Sequence, residues 1–180
     1  DITSYQCSKR IFEAFELSPL VKATEKDKKL IKFEITINGI EKMKIMVSAC
    51  LMGENCKYNG GNNKNDKVLQ FIKGHEVIPV CPEVLGGLPI PRVPAEIVNG
   101  IVTRKDGIGV DKEFRLGAEI AFNKALEEKP DLIILQSRSP SCGVKQIYDG
   151  SFSGKKITGH GLFTQKLIDA GFNVRDMEDL

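Results

Sequence analysis

The chain is 180 residues long, 41% hydrophobic and 28% charged, the size and makeup of one ordinary globular domain with enough apolar material for a real core. Twenty-six Lys and Arg against twenty-four Asp and Glu leave a formal charge of +2, so the balance gives no electrostatic reason to expect a nucleic-acid or acidic-membrane partner. No stretch approaches the ~18 apolar residues that a membrane span needs, and the amino end lacks the basic-then-apolar pattern of a secretion signal. There are only two histidines, little material for a His-rich metal site. The five cysteines are Cys7, Cys50, Cys56, Cys81 and Cys142. An odd count without a secretion signal argues against a disulfide framework and for thiols kept reduced in the cytoplasm.

Residues 1–42 carry eight basic and seven acidic residues, and Glu25-Lys26-Asp27-Lys28-Lys29 has the makeup of a solvated stretch. Ile31, Phe33, Ile35 and Ile37 then alternate with polar residues, the period of a half-buried strand. Asn38-Gly39 supplies the residues of a tight hairpin turn. This segment is expected to be an N-terminal extension with a helix around Lys9–Leu17 and one hairpin, and Met43 is a sensible start for an autonomous domain over 43–180.

From Met43 onward, strand and helix signals alternate. Lys44–Ala49 reads as a short apolar strand, and Asp66 as the cap of a helix through Val68, Leu69, Phe71 and Ile72 that Gly74 stops. Glu76–Val80 is a second strand, with Pro79 pointing to an edge or a bulge. Five of the eight prolines fall between 79 and 94, which predicts a shaped loop rather than a helix. Ile101–Thr103 and Ile108–Val110 flank Lys105-Asp106-Gly107 as another hairpin signal. Asp111 opens the strongest helix, with Phe114, Ala118, Ala121, Phe122 and Ala125 on one face, ending before Pro130. Asp131–Leu135 is a buried strand, a last helix spans about Gly161 to Ala170, and Phe172–Val174 adds a final strand. This alternation predicts an α/β fold: a mainly parallel, open, Rossmann-like sheet with helices on both faces.

On that fold the cysteines form a pattern. Cys50, Cys81 and Cys142 each lie just past the carboxyl end of a predicted strand, and glycine- or proline-rich loops follow each of them. Ligands of open parallel sheets bind in the crevice beyond those strand ends. Three thiols far apart in sequence therefore converge on one crevice, a donor set for a soft centre. Zinc, with Cys56 as fourth ligand or an open position for water, and an iron–sulfur cluster both remain open at this point. The bland alternative is that each cysteine is a small buried hydrophobe, which weakens when three of them share strand ends.

Three blocks are more specific. Cys50-Leu51-Met52-Gly53-Glu54-Asn55-Cys56-Lys57-Tyr58-Asn59-Gly60 comes first, and Cys81-Pro82-Glu83-Val84-Leu85-Gly86-Gly87-Leu88-Pro89-Ile90-Pro91-Arg92, continued by Pro94-Ala95-Glu96, comes second. Ser139-Pro140-Ser141-Cys142-Gly143, then Ile147-Tyr148-Asp149-Gly150, Phe152-Ser153-Gly154 and Gly159-His160-Gly161, make the third. In this order, over about Lys44 to Val174, they resemble the bacterial thiouracil desulfidase family. The resemblance implies a [4Fe–4S] cluster held by only three cysteines, mapping to Cys50, Cys81 and Cys142, with Cys56 as the residue that would exchange with Cys50. One iron is then open to the sulfur of a small thiolated substrate, and no net electron transfer is needed. Cys7 and residues 1–42 lie outside the resemblance, and Lys57 stands where the family often has Arg.

Such chemistry asks the protein to activate water and move protons. Glu83, two residues after Cys81, is placed to be the acid or base, and Ser139, three before Cys142, to relay a proton or bond the heterocycle. Ser141, Arg92 and His160 are candidate substrate-binding residues, and Glu96 is a lesser candidate acid or base. Each has a plainer role open to it: Glu83 accepting loop amides, Ser139 shaping a turn, Arg92 pairing with a loop carboxylate, His160 capping a helix. The functional expectation is a non-redox desulfidase acting on a thiolated pyrimidine of the 2-thiouracil kind. Its alternatives are a metal- or cluster-binding module without catalysis, and a desulfidase of thiolated tRNA.

Overall fold

Short apolar runs too brief to be helices supply the central strands of one parallel sheet. The structure, a computed structural model, describes residues 42–180; the expected helix near Lys9–Leu17, the Asn38-Gly39 hairpin and Cys7 lie outside them. In chain order the elements are β1 (Lys44–Ser48), a 3-10 turn (Ala49–Met52), α1 (Asp66–Ile72), β2 (Glu76–Val80), α2 (Pro82–Leu85), β3 (Ala95–Val98) and β4 (Ile101–Arg104). They continue as α3 (Asp111–Glu128), β5 (Leu132–Leu135), β6 (Gln146–Tyr148), β7 (Lys156–Thr158), α4 (Leu162–Asp169), β8 (Val174–Asp176) and a closing 3-10 turn (Met177–Asp179).

The main sheet runs β2-β1-β5-β8, every pair parallel. The two central strands are apolar on both faces because both faces are covered. On one face, Met46, Ile133 and Leu135 pack with Ala118, Ala121 and Ala125 of α3 and with Phe163 and Leu167 of α4. On the other, Ile45, Val47, Leu132 and Ile134 meet Leu51 and the Val68 and Ile72 side chains of α1. The fold is thus α/β with helices on both faces, as the alternation predicted. Pro79 sits on β2, an outer strand of the sheet, where the missing donor costs least.

Several local expectations need correction. The residue capping α1 is Asn65, whose side chain accepts from the Val68 amide, and Asp66 is the first helical residue. The proline-rich stretch after Cys81 opens with a helical turn, α2, rather than a loop throughout; Pro82 stands at its start, where no amide donor is needed. The hairpin in the middle of the chain is β3–β4, turned at Asn99-Gly100 with both residues at positive φ. The Lys105-Asp106-Gly107 turn adds only a single bridge, Thr103 to Gly109. The last strand begins at Val174 rather than Phe172, whose ring instead meets Phe122 edge-on from α3.

Two features fix the loops at the strand ends. Gly86 and Gly117 face each other where α2 crosses α3: a Cβ at Gly117 would lie 1.9 Å from the Pro82 carbonyl oxygen, and one at Gly86 2.0 Å from that of Glu113. Only two glycines let these backbones come so close. The chain's last described residues hold the 137–145 loop from outside. The buried Asp176 carboxylate accepts from the Ser137 hydroxyl, Arg138 pairs with Glu178, and Lys145 pairs with Asp179.

Candidate active site

The carboxyl ends of β1, β2 and β5 open on one cavity of about 530 Å³. Cys50, Cys56, Cys81 and Cys142 all line it, each carried on a loop or turn that leaves a strand end. Cys50 and Cys81 are half-buried, and Cys56 and Cys142 are buried. Cys50 sits in the 3-10 turn that β1 feeds, where its Sγ accepts from Asn63 Nδ2 at 3.8 Å. Cys81 caps α2. The Cys142 backbone is pressed against the start of α4, since a Cβ on Gly161 would lie 2.4 Å from the Ser141 carbonyl and 2.7 Å from the Cys142 nitrogen.

Three of the thiols, Cys56, Cys81 and Cys142, hold their protons tightly. The neighbouring Cys50 thiol is the chief cause that pushes Cys56 up to about 11. Cys81 is raised well above the ordinary thiol range, first by the neighbouring Cys56 thiol and then by burial. Burial does the same to Cys142, with the Cys81 and Glu83 charges adding to it. Neighbouring thiolates disfavour one another until a cationic centre stands among them, and a coordinated thiol then gives up its proton outright. Among the described residues no three His, Cys, Asp or Glu side chains are arranged to hold a single metal ion. Thiols gathered from three strand ends around one cavity are soft donors, the ligand set of zinc and of iron–sulfur clusters alike.

Beside the thiols lies a polar chain. Glu83, on the first turn of α2, accepts at Oε1 from the Ser139 hydroxyl (3.2 Å). Its Oε2 is taken by Arg92, through Nε at 2.9 Å and a second guanidinium nitrogen at 2.7 Å. Arg92 also donates to the Cys56 carbonyl at 2.9 Å and to that of Pro89 at 3.3 Å, and its side chain is only 7% exposed. Of the two partners the sequence left open to Arg92, the structure gives it the loop carboxylate. Ser139 Oγ accepts the amides of Ser141 (3.0 Å) and Cys142 (3.1 Å). A hydroxyl has two acceptor lone pairs and one proton. With both lone pairs engaged, the Ser139 proton points to Glu83.

Glu83, Ser139 and Arg92 line the cavity with the four cysteines. Ser141 and His160 do not: Ser141 is fully buried with its hydroxyl unpartnered, and His160 Nδ1 bonds the Val144 carbonyl. Glu96 lines the cavity, but its Oε2 accepts the amides of Gly150 (3.0 Å) and Phe152 (3.1 Å). Tyr58, Tyr148, Phe114 and Phe152 give the cavity aromatic walls that the sequence reading did not single out. Their signal was present, because Tyr148 and Phe152 belong to the third block.

An α/β sheet with a thiol-lined cleft at its strand ends, and a carboxylate–hydroxyl pair beside the thiols, defines the class. The chain belongs to the 2-thiouracil desulfurase family, whose model matches residues 45–179. It is similar to the Bacillus subtilis (strain 168) protein YbbK, described only as uncharacterized: 37% identity over 146 residues, covering 76% of this chain and 97% of YbbK. It is also similar to the solved structure of a [4Fe-4S]-dependent thiouracil desulfidase, TudS, with a TM-score of 0.71 and 38% identity over 77% of this chain and 93% of that one. The family resemblance carried by the three blocks and the α/β fold expected from the strand–helix alternation both hold. So does the assignment to a family of carbon–sulfur-cleaving enzymes. Among the described residues no helix is long and apolar enough to cross a membrane.

Proposed function

We propose that this chain is a non-redox desulfidase that replaces the sulfur of a thiolated pyrimidine, such as 2-thiouracil, with oxygen from water. The observation that carries this reading is the meeting of four thiols with the Glu83–Ser139 pair in one cavity. Cys50, Cys81 and Cys142 would hold a [4Fe–4S] cluster, one from each strand end, with Cys56 as the alternative to Cys50. When bound, the cluster supplies a sulfur-seeking, Lewis-acidic iron that no protein side chain occupies.

The balance of the reaction is simple. A thiocarbonyl and water give a carbonyl and hydrogen sulfide, with no net change in electrons. The protein residues handle the water and its protons. Arg92 occupies Oε2 of Glu83, so the lone pair of Oε1 that Ser139 leaves open would take a proton from the attacking water. Ser139 donates its hydroxyl proton to that atom and holds the carboxylate in place. The aromatic walls exclude bulk water from the reacting carbon and match a flat heterocycle.

The decisive experiment is anaerobic reconstitution followed by two measurements: iron and sulfide per chain, and sulfide released from 2-thiouracil. About four irons per chain and steady sulfide release are expected. Glu83→Gln keeps the shape and loses the base; it should hold its iron while turnover drops by on the order of 100-fold or more. Cys142→Ser should lose iron, and a comparison of Cys50→Ser with Cys56→Ser identifies the third ligand. A cluster-bearing protein that leaves thiolated pyrimidines intact would rule the reading out.

A further inference from the structure

Among the described residues, four that are not glycine have positive φ: Asn99, Lys129, Arg138 and Phe152. Asn99 belongs to a hairpin turn and Lys129 closes α3, positions where that backbone is ordinary. Phe152, at φ 55°, is another matter. A bulky side chain rarely takes this conformation, and glycine would take it without strain. The strain is held in place from outside. Glu96, itself buried, receives the amides of Gly150 and Phe152 on one carboxylate oxygen, and Gly150 lies so close to β3 that a Cβ would sit 2.7 Å from the Ile97 carbonyl.

The ring of Phe152 is not kept for the core, since it joins none of the three apolar clusters. It lines the cavity that holds the four thiols. Strain of this kind persists where the surroundings over-determine it, and an aromatic ring aimed into a site is a reason to retain it. On the proposed function, which this inference rests on, we infer that Phe152 is the stacking surface for the substrate's pyrimidine ring. Glu96 is then the positioning residue that holds the surface in place. Flat heterocycles stack on aromatic side chains whatever their edge groups are, so Phe152 would set affinity for the ring while the thiols and Glu83 act on its sulfur.

Phe152→Gly separates ring from backbone, because glycine accepts this φ and keeps both amides on Glu96. Dissociation constants for 2-thiouracil are measured by equilibrium dialysis against cluster-free full-length protein, and KM and kcat on the reconstituted protein. Phe152→Gly should weaken binding and raise KM by on the order of 10- to 100-fold. Its kcat should move much less, its iron content should match the wild type, and its unfolding midpoint should be equal or higher. Phe152→Tyr should restore affinity, and Glu96→Ala should lose affinity together with stability. Equal affinity in wild type and Phe152→Gly overturns the inference while the proposed function stands. A wild-type chain that neither binds nor desulfurates 2-thiouracil overturns both.

Discussion

Replacing Gly117 by alanine should weaken this protein, against the ordinary rule for a helix interior. Mid-helix Gly→Ala is worth about 1 kcal/mol in favour of alanine, and Gly117 lies well inside α3. Here the added Cβ would stand 1.9 Å from the Pro82 carbonyl oxygen and 2.9 Å from the Gly86 nitrogen. That is roughly 1.5 Å short of the 3.4 Å at which ordinary contact begins. Neither obstacle is a flexible side chain, so α2 must back away as a unit. Overpacking costs about 1–3 kcal/mol, and against rigid backbone the upper end applies. The net loss is about 1–2 kcal/mol, a fall in melting temperature of about 3–8 °C for a domain of this size. Because α2 carries Glu83 and is capped by Cys81, the same displacement reaches the site. A misplacement near 1 Å costs on the order of 100-fold in rate. Thermal melts of the metal-free chain and sulfide release by the reconstituted one test both halves. A Gly117→Ala protein that melts higher and turns over normally would refute the reasoning.

Other outcomes follow from the same geometry. Arg92→Met leaves the Glu83 carboxylate, 16% exposed, without its ion pair; it should cost about 3 kcal/mol in urea unfolding, with Arg92→Lys recovering only part because it lacks the planar fork. Ser139→Ala removes the acceptor of two loop amides; it should cost about 1–3 kcal/mol and lower the iron retained per chain after reconstitution. The metal-free Cys56 thiol should alkylate slowly. With Cys56 raised to about 11, its thiolate fraction at pH 8 is about a hundredth of an ordinary thiol's, and the rate of labelling by iodoacetamide, read by peptide mass spectrometry, should climb until the pH passes that value.

The parts of the fold that were legible were those written in single elements. Leu132-Ile133-Ile134-Leu135 is a strand because a four-residue apolar run is too short for a helix and needs cover on both faces, and it received both. The strand-end placement of the cysteines followed from such runs. What escaped was set by contacts across the chain. Arg92 had two partners open to it, and only the folded loops put Glu83, nine residues away, against its guanidinium. His160 and Ser141 carry reactive atoms in a family block, yet packing against α4 and the Val144 carbonyl keeps them off the cavity wall. Asn99-Gly100 is a different kind of miss: an Asn-Gly hairpin signal is strong in the sequence, but the expected hairpin is placed at Lys105-Asp106-Gly107. Gly117 gave no signal, because a glycine in a helical pattern shows its purpose only when the crossing partner is known.

The contacts from Asp176, Glu178 and Asp179 to the 137–145 loop bear on how the protein is made. A ribosome delivers the Cys50 and Cys81 loops long before it delivers β8, and the Cys142 loop is braced only when that late segment pairs with β5. The nascent chain therefore exposes thiols in a cleft that is not yet closed. On the proposed function, cluster insertion would then belong after synthesis, as a maturation step on the folded chain, and removing residues 176–179 would act on iron retention although no proposed ligand is removed.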